Sequence, residues 1–314
     1  MKLLVIRFSA LGDVILTTGA INFIKNKGIF DKIDVLTFEH FKDVFMDNPN
    51  INEVLTVKKD IKLWDYLDFV QKNISGYDYV LDLQGKLKTF ILRVFSDAGF
   101  IKYKKLTARR RIYTKLRLFE NQLAEHTSLR YIQEVISKFR LSPPSIEDVR
   151  PKLFVKDVAK DPKKIVIHPF ASKNTKIWPY FDKLIPILKM DGFEITIIGD
   201  GDFPLMEGVR DLRNKTTLLE MFLEIKSASL LLTTDSGPMH AGVGLNTKTV
   251  AIFGSTTKHY GFYPDFSDCY VIENKDINCR PCHVHGLSEC PKGHFKCMTT
   301  ISVDEVYSFV KRVL

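Results

Sequence analysis

Short apolar runs alternate with longer helical patterns from the start of the chain. In the first half this pattern predicts buried strands at residues 3–7, 32–37 and 79–83, and helices at residues 14–27 and 121–139. Apolar strands that alternate with helices are typical of a parallel sheet covered by helices on both faces.

The alternation restarts after a proline-rich break at residues 141–151. The second half predicts strands at 165–168, 194–198, near 230 and 249–253, and helices at 180–190, 217–226 and 302–313. A chain of 314 residues is longer than one core usually spans. We therefore predict an α/β protein of two Rossmann-like doubly wound domains, residues 1–150 and 151–314, facing each other across a cleft.

Ligands of such sheets bind beyond the carboxyl ends of the strands, so polar residues there are the first candidates for a site. Four segments qualify, at residues 7–13, 168–179, 234–241 and 253–257. The hydroxyls of the last segment, which follow Gly254, are equally compatible with an ordinary turn. The cleft between the two sheets is the expected active site.

The run at residues 230–241 carries the most information. It predicts a buried strand, a tight turn and a helix with proline at its first position, which Ser236 or Gly237 can cap. The free N–H groups of such a helix end can bind a phosphate. Asp235 and His240 add groups suited to sugar hydroxyls and phosphate oxygens. The pattern indicates a nucleotide-linked substrate, although a turn before a Pro-initiated helix is common.

Two other segments offer groups for catalysis. Asp13 stands at the start of a predicted helix, where its carboxylate could act as a general base or simply interact with the helix N-terminus. Ser172 and Lys176 could bind a diphosphate, with Lys176 stabilising charge on a departing phosphate, or Lys176 could be a surface lysine. His168, at a strand end, favours a structural role.

Composition narrows the class of protein. The hydrophobic share of 45% and the charged share of 26% are typical of a globular protein. No strand is followed by a Gly-x-Gly-x-x-Gly or Walker pattern, which argues against a dehydrogenase or an ATPase. No run of 18 apolar residues occurs, and the N-terminal run is too short for a signal peptide, so we expect a cytoplasmic protein.

The net charge of +9 is concentrated in one segment, residues 86–117, which holds eleven lysines and arginines and one acidic residue. This segment could be a solvated helical face or could bind an anionic partner. It contains no recognisable nucleic-acid module, whereas a phosphorylated glycolipid at a membrane surface fits its charge.

Four of the five cysteines, Cys279, Cys282, Cys290 and Cys297, lie close together near the C-terminus. In a cytoplasmic protein they should be reduced. Their spacing leaves two alternatives, a structural four-thiolate zinc site or packed thiols, because only the first pair has the tight two-residue spacing of strong zinc motifs. No catalytic metal is implied.

Five motifs in order along the chain resemble the lipopolysaccharide heptosyltransferases of glycosyltransferase family 9. They are LVIR with LGD at residues 4–13, DLQG at 82–85, KIWP at 176–179, TDSGPMH at 234–240 and the CRPC to CPKGHFKC tail at 279–297. The resemblance covers essentially the whole chain. It implies a GT-B fold and an inverting transfer, without metal or other cofactor, of heptose from ADP-heptose to the lipopolysaccharide inner core.

Carried over by position, the resemblance makes Asp13 the general base and places Ser172 and Lys176 on the donor diphosphate. Asp235 would hold sugar hydroxyls, and the Ser236 and Gly237 amides and His240 would lie near the phosphates. The basic segment would face the anionic acceptor, which gives an acceptor-binding set of Gln84, Lys86, Lys88, Arg109, Arg110 and Arg111.

The partners implied are an ADP-sugar donor and an anionic glycolipid, but no nucleic acid. The protein would act as a monomer on the inner face of the cytoplasmic membrane. Other readings remain open: a transferase of the same fold that uses another nucleotide sugar, a sugar-nucleotide epimerase or phosphorylase-like enzyme, and a non-catalytic protein that binds anionic glycans or nucleic acid.

Overall fold

A computed structural model describes all residues, 1–314, and divides them into two compact units. Unit 1 comprises Met1–Lys105 and Thr127–Val155, and unit 2 comprises Leu106–His126 and Lys156–Leu314.

The strands are β1 Lys2–Ile6, β2 Lys32–Phe38, β3 Glu53–Val57, β4 Tyr79–Asp82, β5 Gly99–Lys102, β6 Asp161–His168, β7 Glu194–Ile197, β8 Arg210–Asp211, β9 Ala228–Thr234, β10 Thr249–Phe253 and β11 Cys269–Glu273. The helices are α1 Leu11–Asn26, α2 Leu63–Asn73, α3 Leu87–Val94, α4 Thr107–Leu116, α5 Glu120–Leu123, α6 Thr127–Phe139, α7 Phe181–Met190, α8 Leu218–Lys226, α9 Gly237–Gly244, α10 Lys296–Thr299 and α11 Val303–Val313. Short 3-10 turns lie at Glu39–Val44, Glu147–Val149, Asn174–Lys176 and Lys258–Tyr260.

Unit 1 is built on a five-stranded parallel sheet in the order β3-β2-β1-β4-β5. The central strand β1 pairs with β2 and β4 so that Val5 lies between Val35 and Leu81. Leu3 to Ile6 are fully buried on both faces. This explains why the sequence of β1 is a continuous apolar run rather than an alternating one.

Unit 2 contains a six-stranded parallel sheet in the order β11-β10-β9-β6-β7-β8. Its core joins Ile165 and Ile167 of β6 with Leu230 and Leu232 of β9 and with the buried Trp178. The indole Nε1 of Trp178 donates to the carbonyl of Ile301 at 2.9 Å, so the ring fills the core without leaving its N–H unpaired.

The two doubly wound sheets confirm the α/β class predicted from the sequence, but the unit boundaries differ from the predicted division at residue 150. The chain passes between units at Val155, and the segment Leu106–His126 packs with unit 2. The predicted helix at 121–139 is also interrupted, since α5 ends at Leu123 and α6 begins at Thr127. This interruption coincides with the passage of the chain from unit 2 back into unit 1.

Specific contacts hold Leu106–His126 within unit 2. The Tyr113 hydroxyl lies 2.7 Å from His259 Nδ1, and His259 Nε2 lies 2.8 Å from Glu120 Oε1. Thr114 Oγ1 lies 2.7 Å from the hydroxyl of Tyr260. These contacts fix α4 and α5, and with them much of the basic segment, to the turn after β10.

None of the helices combines the length and the apolar character that crossing a membrane would require.

Candidate active site

The strand order of unit 1 marks one position for a site. The chain runs outward from β1 through β2 to β3 and then returns to the other side of β1 with β4. Ligands of open parallel sheets bind where the strand order reverses in this way, beyond the carboxyl ends of the two strands. Asp13 follows β1 and Gln84 follows β4, so both of these predicted site residues lie at this switch point.

Asp13 is the third residue of α1, and both of its carboxylate oxygens have partners. Arg7 Nη2 lies 2.8 Å from Oδ2, and the hydroxyl of Tyr131 donates to Oδ1 at 2.7 Å. The side chain keeps 23% of its surface exposed, so the carboxylate is held in place and still reachable by a substrate.

The two partners of Asp13 are themselves fixed. Arg7 is buried and also donates to the carbonyl of Leu83, and its charge is favoured by the neighbouring Asp13 even though burial opposes it. Tyr131 lies edge-on to Tyr103 at 5.0 Å, and burial holds its pKa well above the usual value of 10, so its hydroxyl remains a proton donor. Sequence reasoning missed the roles of both residues; Arg7 lay inside a recognised motif, whereas Tyr131 gave no signal.

The predicted acceptor residue Gln84 has a local structural function. Its Oε1 accepts from the backbone N–H groups of Phe8 and Ser9 at 3.1 and 3.3 Å, and its side chain is buried. Asp82 Oδ1 accepts from the N–H groups of Gln84 and Gly85, which holds the turn after β4. The amide of Gln84 therefore ties the loop before Asp13 to this turn, and its contact with an acceptor stays a prediction.

The other predicted acceptor residues divide between the units. Lys86 is exposed at the start of α3, and the ammonium of Lys88 lies 5.0 Å above the ring of Tyr66. Arg109 and Arg111 are exposed on α4 of unit 2, while the Arg110 guanidinium lies 5.4 Å above the ring of Phe262. The basic segment is thus two surfaces, one in each unit.

Unit 2 has its own switch point, between β6 and β9. His168 ends β6, and its Nδ1 lies 3.2 Å from Ser236 Oγ in the turn after β9. Burial lowers the pKa of His168 to about 4, so the ring is neutral at pH 7. Gly199 lies against this ring, because a Cβ added there would approach His168 Cδ2 to 2.5 Å. The structural role predicted for His168 agrees with these contacts.

Lys176 and Asp235 form an ion pair at the same edge. Lys176 Nζ lies 2.9 Å from Asp235 Oδ2, and Thr256 donates to the same oxygen at 2.6 Å. Both contacts fall on Oδ2, which leaves Oδ1 available to a ligand hydroxyl. An ammonium has three donors, so Lys176 can contact Asp235 and an anionic ligand together. Three of the four candidate segments therefore meet here through these side chains.

The helix after Asp235 begins at Gly237, so Pro238 is its second residue and not its first as predicted. Ser236 is the N-cap residue, but its side chain makes no cap hydrogen bond. Its hydroxyl is instead hydrogen-bonded to His168 Nδ1. The first N–H groups of α9 are therefore not capped by this hydroxyl. His240 is buried, with its ring 6.3 Å from Phe262, while Ser172 is exposed in the loop after β6.

The cysteine-rich loop, residues 279–297, contacts this site through Arg280, a residue that the sequence analysis did not select. Arg280 is buried, donates to the carbonyls of Gly254 and Thr256, and pairs with Glu273 at 2.7 Å. Leu287 N–H donates to Thr175 Oγ1 at 2.8 Å, which supports the turn that carries Lys176. The only sequence signal for Arg280 was its place between two cysteines.

The cysteines themselves are free thiols. Burial raises the pKa of Cys282 to about 11 and that of Cys297 to about 12. Cys279 Sγ lies 3.8 Å from His294 Nε2, yet no three His, Cys, Asp or Glu side chains are arranged to hold a metal ion. The two alternatives that the spacing allows, a structural four-thiolate zinc site and packed thiols, stay predictions.

A family model described as glycosyltransferase family 9 (heptosyltransferase) matches residues 70–291, which is more than half of the chain. The chain belongs to glycosyltransferase family 9. The family 9 resemblance drawn from the five motifs is thereby confirmed, as is the assignment of the protein as a glycosyltransferase.

One curated relative and two solved structures match over nearly their whole length. Lipopolysaccharide heptosyltransferase 1 of Campylobacter coli is 26% identical, with 100% of this chain and 99% of the relative covered. The structure of ADP-heptose LPS heptosyltransferase II of Escherichia coli has a TM-score of 0.75 at 17% identity, covering 100% of this chain and 98% of that one. E. coli heptosyltransferase WaaC, solved with ADP-2-deoxy-2-fluoro heptose, gives 0.71 at 18% identity with both chains fully covered. These likenesses confirm the GT-B fold.

Proposed function

We propose that this family 9 enzyme transfers heptose from ADP-heptose to the inner core of lipopolysaccharide, with inversion at the anomeric carbon. The observation that carries the proposal is the Asp13 carboxylate, held by Arg7 and Tyr131 at the switch point of unit 1 and still partly exposed. The names of the relatives, which include lipopolysaccharide and lipooligosaccharide heptosyltransferases, support this choice of donor and acceptor.

In the proposed reaction Asp13 accepts the proton of an acceptor hydroxyl. The oxygen then attacks the anomeric carbon of the heptose, and the bond from that carbon to the β-phosphate oxygen breaks. The electron pair of this bond leaves with ADP. One displacement of this kind inverts the anomeric centre, and it needs one base and a stabilised leaving group.

The switch point of unit 2 supplies groups for the donor. The remaining N–H donors of Lys176 and the backbone amides of the N-cap Ser236 and of Gly237, the first residue of α9, would stabilise the charge on the departing diphosphate. Asp235 Oδ1 would accept from a sugar hydroxyl. Ser172 is exposed and remains a candidate diphosphate donor, whereas His240 is buried within α9 and would act through the packing of that helix.

The acceptor set proposed from the basic segment keeps Lys86 and Lys88 in unit 1 and Arg109 to Arg111 in unit 2. An anionic glycolipid as acceptor implies that the enzyme works as a peripheral protein at the inner face of the cytoplasmic membrane. All the proposed catalytic and donor-binding groups come from one chain, which is compatible with a monomer. No cofactor takes part in the proposed reaction.

Calorimetric titration tests the donor assignment. We expect ADP to bind more tightly than UDP, GDP or NAD. Lys176→Met should weaken ADP binding about 10- to 100-fold, because a hydrogen bond to a charged group contributes roughly 1.5–3 kcal/mol. Lys183→Met is a matched control, since this lysine packs on Tyr180 and makes no contact with Asp235.

The results of the titration distinguish the proposed ADP-heptose donor from the alternatives. A preference for UDP or GDP would retain a glycosyltransferase but exclude ADP-heptose as the donor. Absence of binding to any nucleotide would contradict the proposed donor site, and equal weakening in both lysine variants would remove Lys176 from it.

A further inference from the structure

Helix α3 exposes apolar side chains where a surface helix normally carries polar ones. Thr89 and Leu92 are buried against unit 1. On the side away from this contact, Leu87 is 72% exposed, Phe90 63% and Val94 61%. These three lie at positions i, i+3 and i+7, which share one face of a helix. The helix is therefore apolar on both its inner and its outer face.

Cations flank the outer apolar face, which we call the α3 face (Leu87, Phe90 and Val94). Lys86 and Arg93 are exposed, and Lys88 is partly exposed over the ring of Tyr66. No acidic residue occurs between Leu83 and Ser96. Apolar side chains next to lysine and arginine, without carboxylates on the helix, are the chemistry of a segment that binds in the interface of an anionic lipid bilayer.

The position of α3 fits this partner. The helix follows β4, so its N-terminal end lies at the carboxyl edge of the unit 1 sheet, the same edge at which Asp13 follows β1. Arg7 spans the two loops, since it pairs with Asp13 and donates to the Leu83 carbonyl. An acceptor anchored in a bilayer would reach Asp13 most directly if this edge lay against the lipid surface.

We propose that the α3 face docks the enzyme on an anionic lipid bilayer. The apolar side chains enter the headgroup region, and Lys86, Lys88 and Arg93 contact the lipid phosphates. The proposal rests on the proposed function in one respect, that the acceptor is a glycolipid. Vesicle binding needs neither donor nor acceptor, so the two can fail separately.

Sedimentation of the full-length protein with vesicles tests the proposal. We expect binding to vesicles containing phosphatidylglycerol, weaker binding to phosphatidylcholine alone, and a loss of affinity at high salt. The double variant Leu87→Ser/Phe90→Ser should lose at least about tenfold in affinity, because each apolar side chain contributes in proportion to the area it removes from water. Turnover on a water-soluble, deacylated acceptor should be unchanged.

Two exposed apolar residues of unit 2 provide the control. Met190 is 87% exposed and Leu205 85%, so Met190→Ser/Leu205→Ser removes comparable apolar surface from another part of the chain. This control should bind vesicles like the wild type. Equal binding by the α3 variant and the wild type would overturn the proposal. So would the finding, by sedimentation velocity without lipid, that the α3 face instead joins two copies of the chain.

Discussion

Replacing Tyr131 with phenylalanine would remove one hydroxyl and one hydrogen bond from the carboxylate of Asp13. The ring would keep its edge-on contact with Tyr103 at 5.0 Å and its place beneath the Arg7 guanidinium at 5.6 Å. Phenylalanine lacks only the hydroxyl of the buried Tyr131, so the ring and its packing are preserved. The substitution therefore tests the hydrogen bond rather than the shape of the core.

The expected change in activity depends on the charge of the Asp13 carboxylate, which accepts the hydrogen bond from Tyr131. A hydrogen bond from Tyr131 stabilises the ionised carboxylate, so its loss makes the proton harder to remove. Hydrogen bonds to charged groups contribute roughly 1.5–3 kcal/mol, and one pH unit corresponds to about 1.4 kcal/mol. We expect the acidic limb of the kcat/KM profile to move up by about 1–2 pH units. Turnover should approach the wild-type rate on the alkaline side.

Other charges near Asp13 set the background for this shift. Arg7 pairs with the other carboxylate oxygen, and Lys105 and Asp82 interact with the same group of side chains. All of them remain in the variant. Tyr103→Phe is the matched control, since it removes a neighbouring hydroxyl that is not bonded to Asp13, and it should leave the acidic limb in place. An unshifted limb in Tyr131→Phe, with loss of stability alone, would refute Asp13 as the base held by Tyr131.

Two further predictions concern the donor side of unit 2. Burial lowers the pKa of His168 from 6.5 to about 4, so the unfolded chain takes up this proton first as the pH falls. The contribution of neutral His168 to the unfolding free energy should therefore be complete above pH 6.5 and fall by about 3 kcal/mol as the pH drops to 4. Urea titrations over this pH range should show this loss in the wild type and not in His168→Gln. Equal dependence of the unfolding free energy on pH in the two proteins would contradict this prediction. Gly199→Ala places a Cβ 2.5 Å from His168 at a φ of +101°, whereas Gly192→Ala meets open space at +82°. The first should lower the unfolding free energy by at least about 1 kcal/mol more than the second, and equal losses would show that the contact with His168 is unimportant.

Most of the sheet architecture was predictable because the buried strands have a local signature. The strand at residues 249–253 is observed with those bounds, and the helix predicted at 302–313 is capped by Ser302, which accepts from Glu305 N–H at 3.1 Å. Central strands such as β1 and β9 are largely apolar because both of their faces are buried, and this pattern is visible in the sequence alone.

The segment between α4 and α6 was less predictable. Residues 121–139 have helix-compatible side chains throughout, but Leu123 is buried in unit 2 while Tyr131 and Ile132 are buried in unit 1. The break at 124–126 is therefore decided by tertiary packing, which can override local propensity. For the same reason the division of the basic segment between the two units could not be inferred from its composition.

Some residues of the candidate site could be predicted from the sequence and others could not. Asp13, Lys176 and Asp235 could be selected as candidates because each follows a strand end, where ligands bind in this kind of fold. Tyr131 and Arg280 could not be found in this way, since they act through hydrogen bonds to groups that only folding brings close; Tyr131 is separated from Asp13 by 118 positions in the chain.

The central claim is tested most directly by mass-spectrometric and NMR analysis of the product formed from ADP-heptose and a water-soluble inner-core acceptor. The wild-type enzyme should form a glycoside whose anomeric configuration is inverted relative to the donor. Asp13→Asn should bind ADP as the wild type does and lose about 10²- to 10⁴-fold in kcat, the scale of a missing general base. A product with retained configuration, or an Asp13→Asn variant with wild-type turnover, would contradict the account.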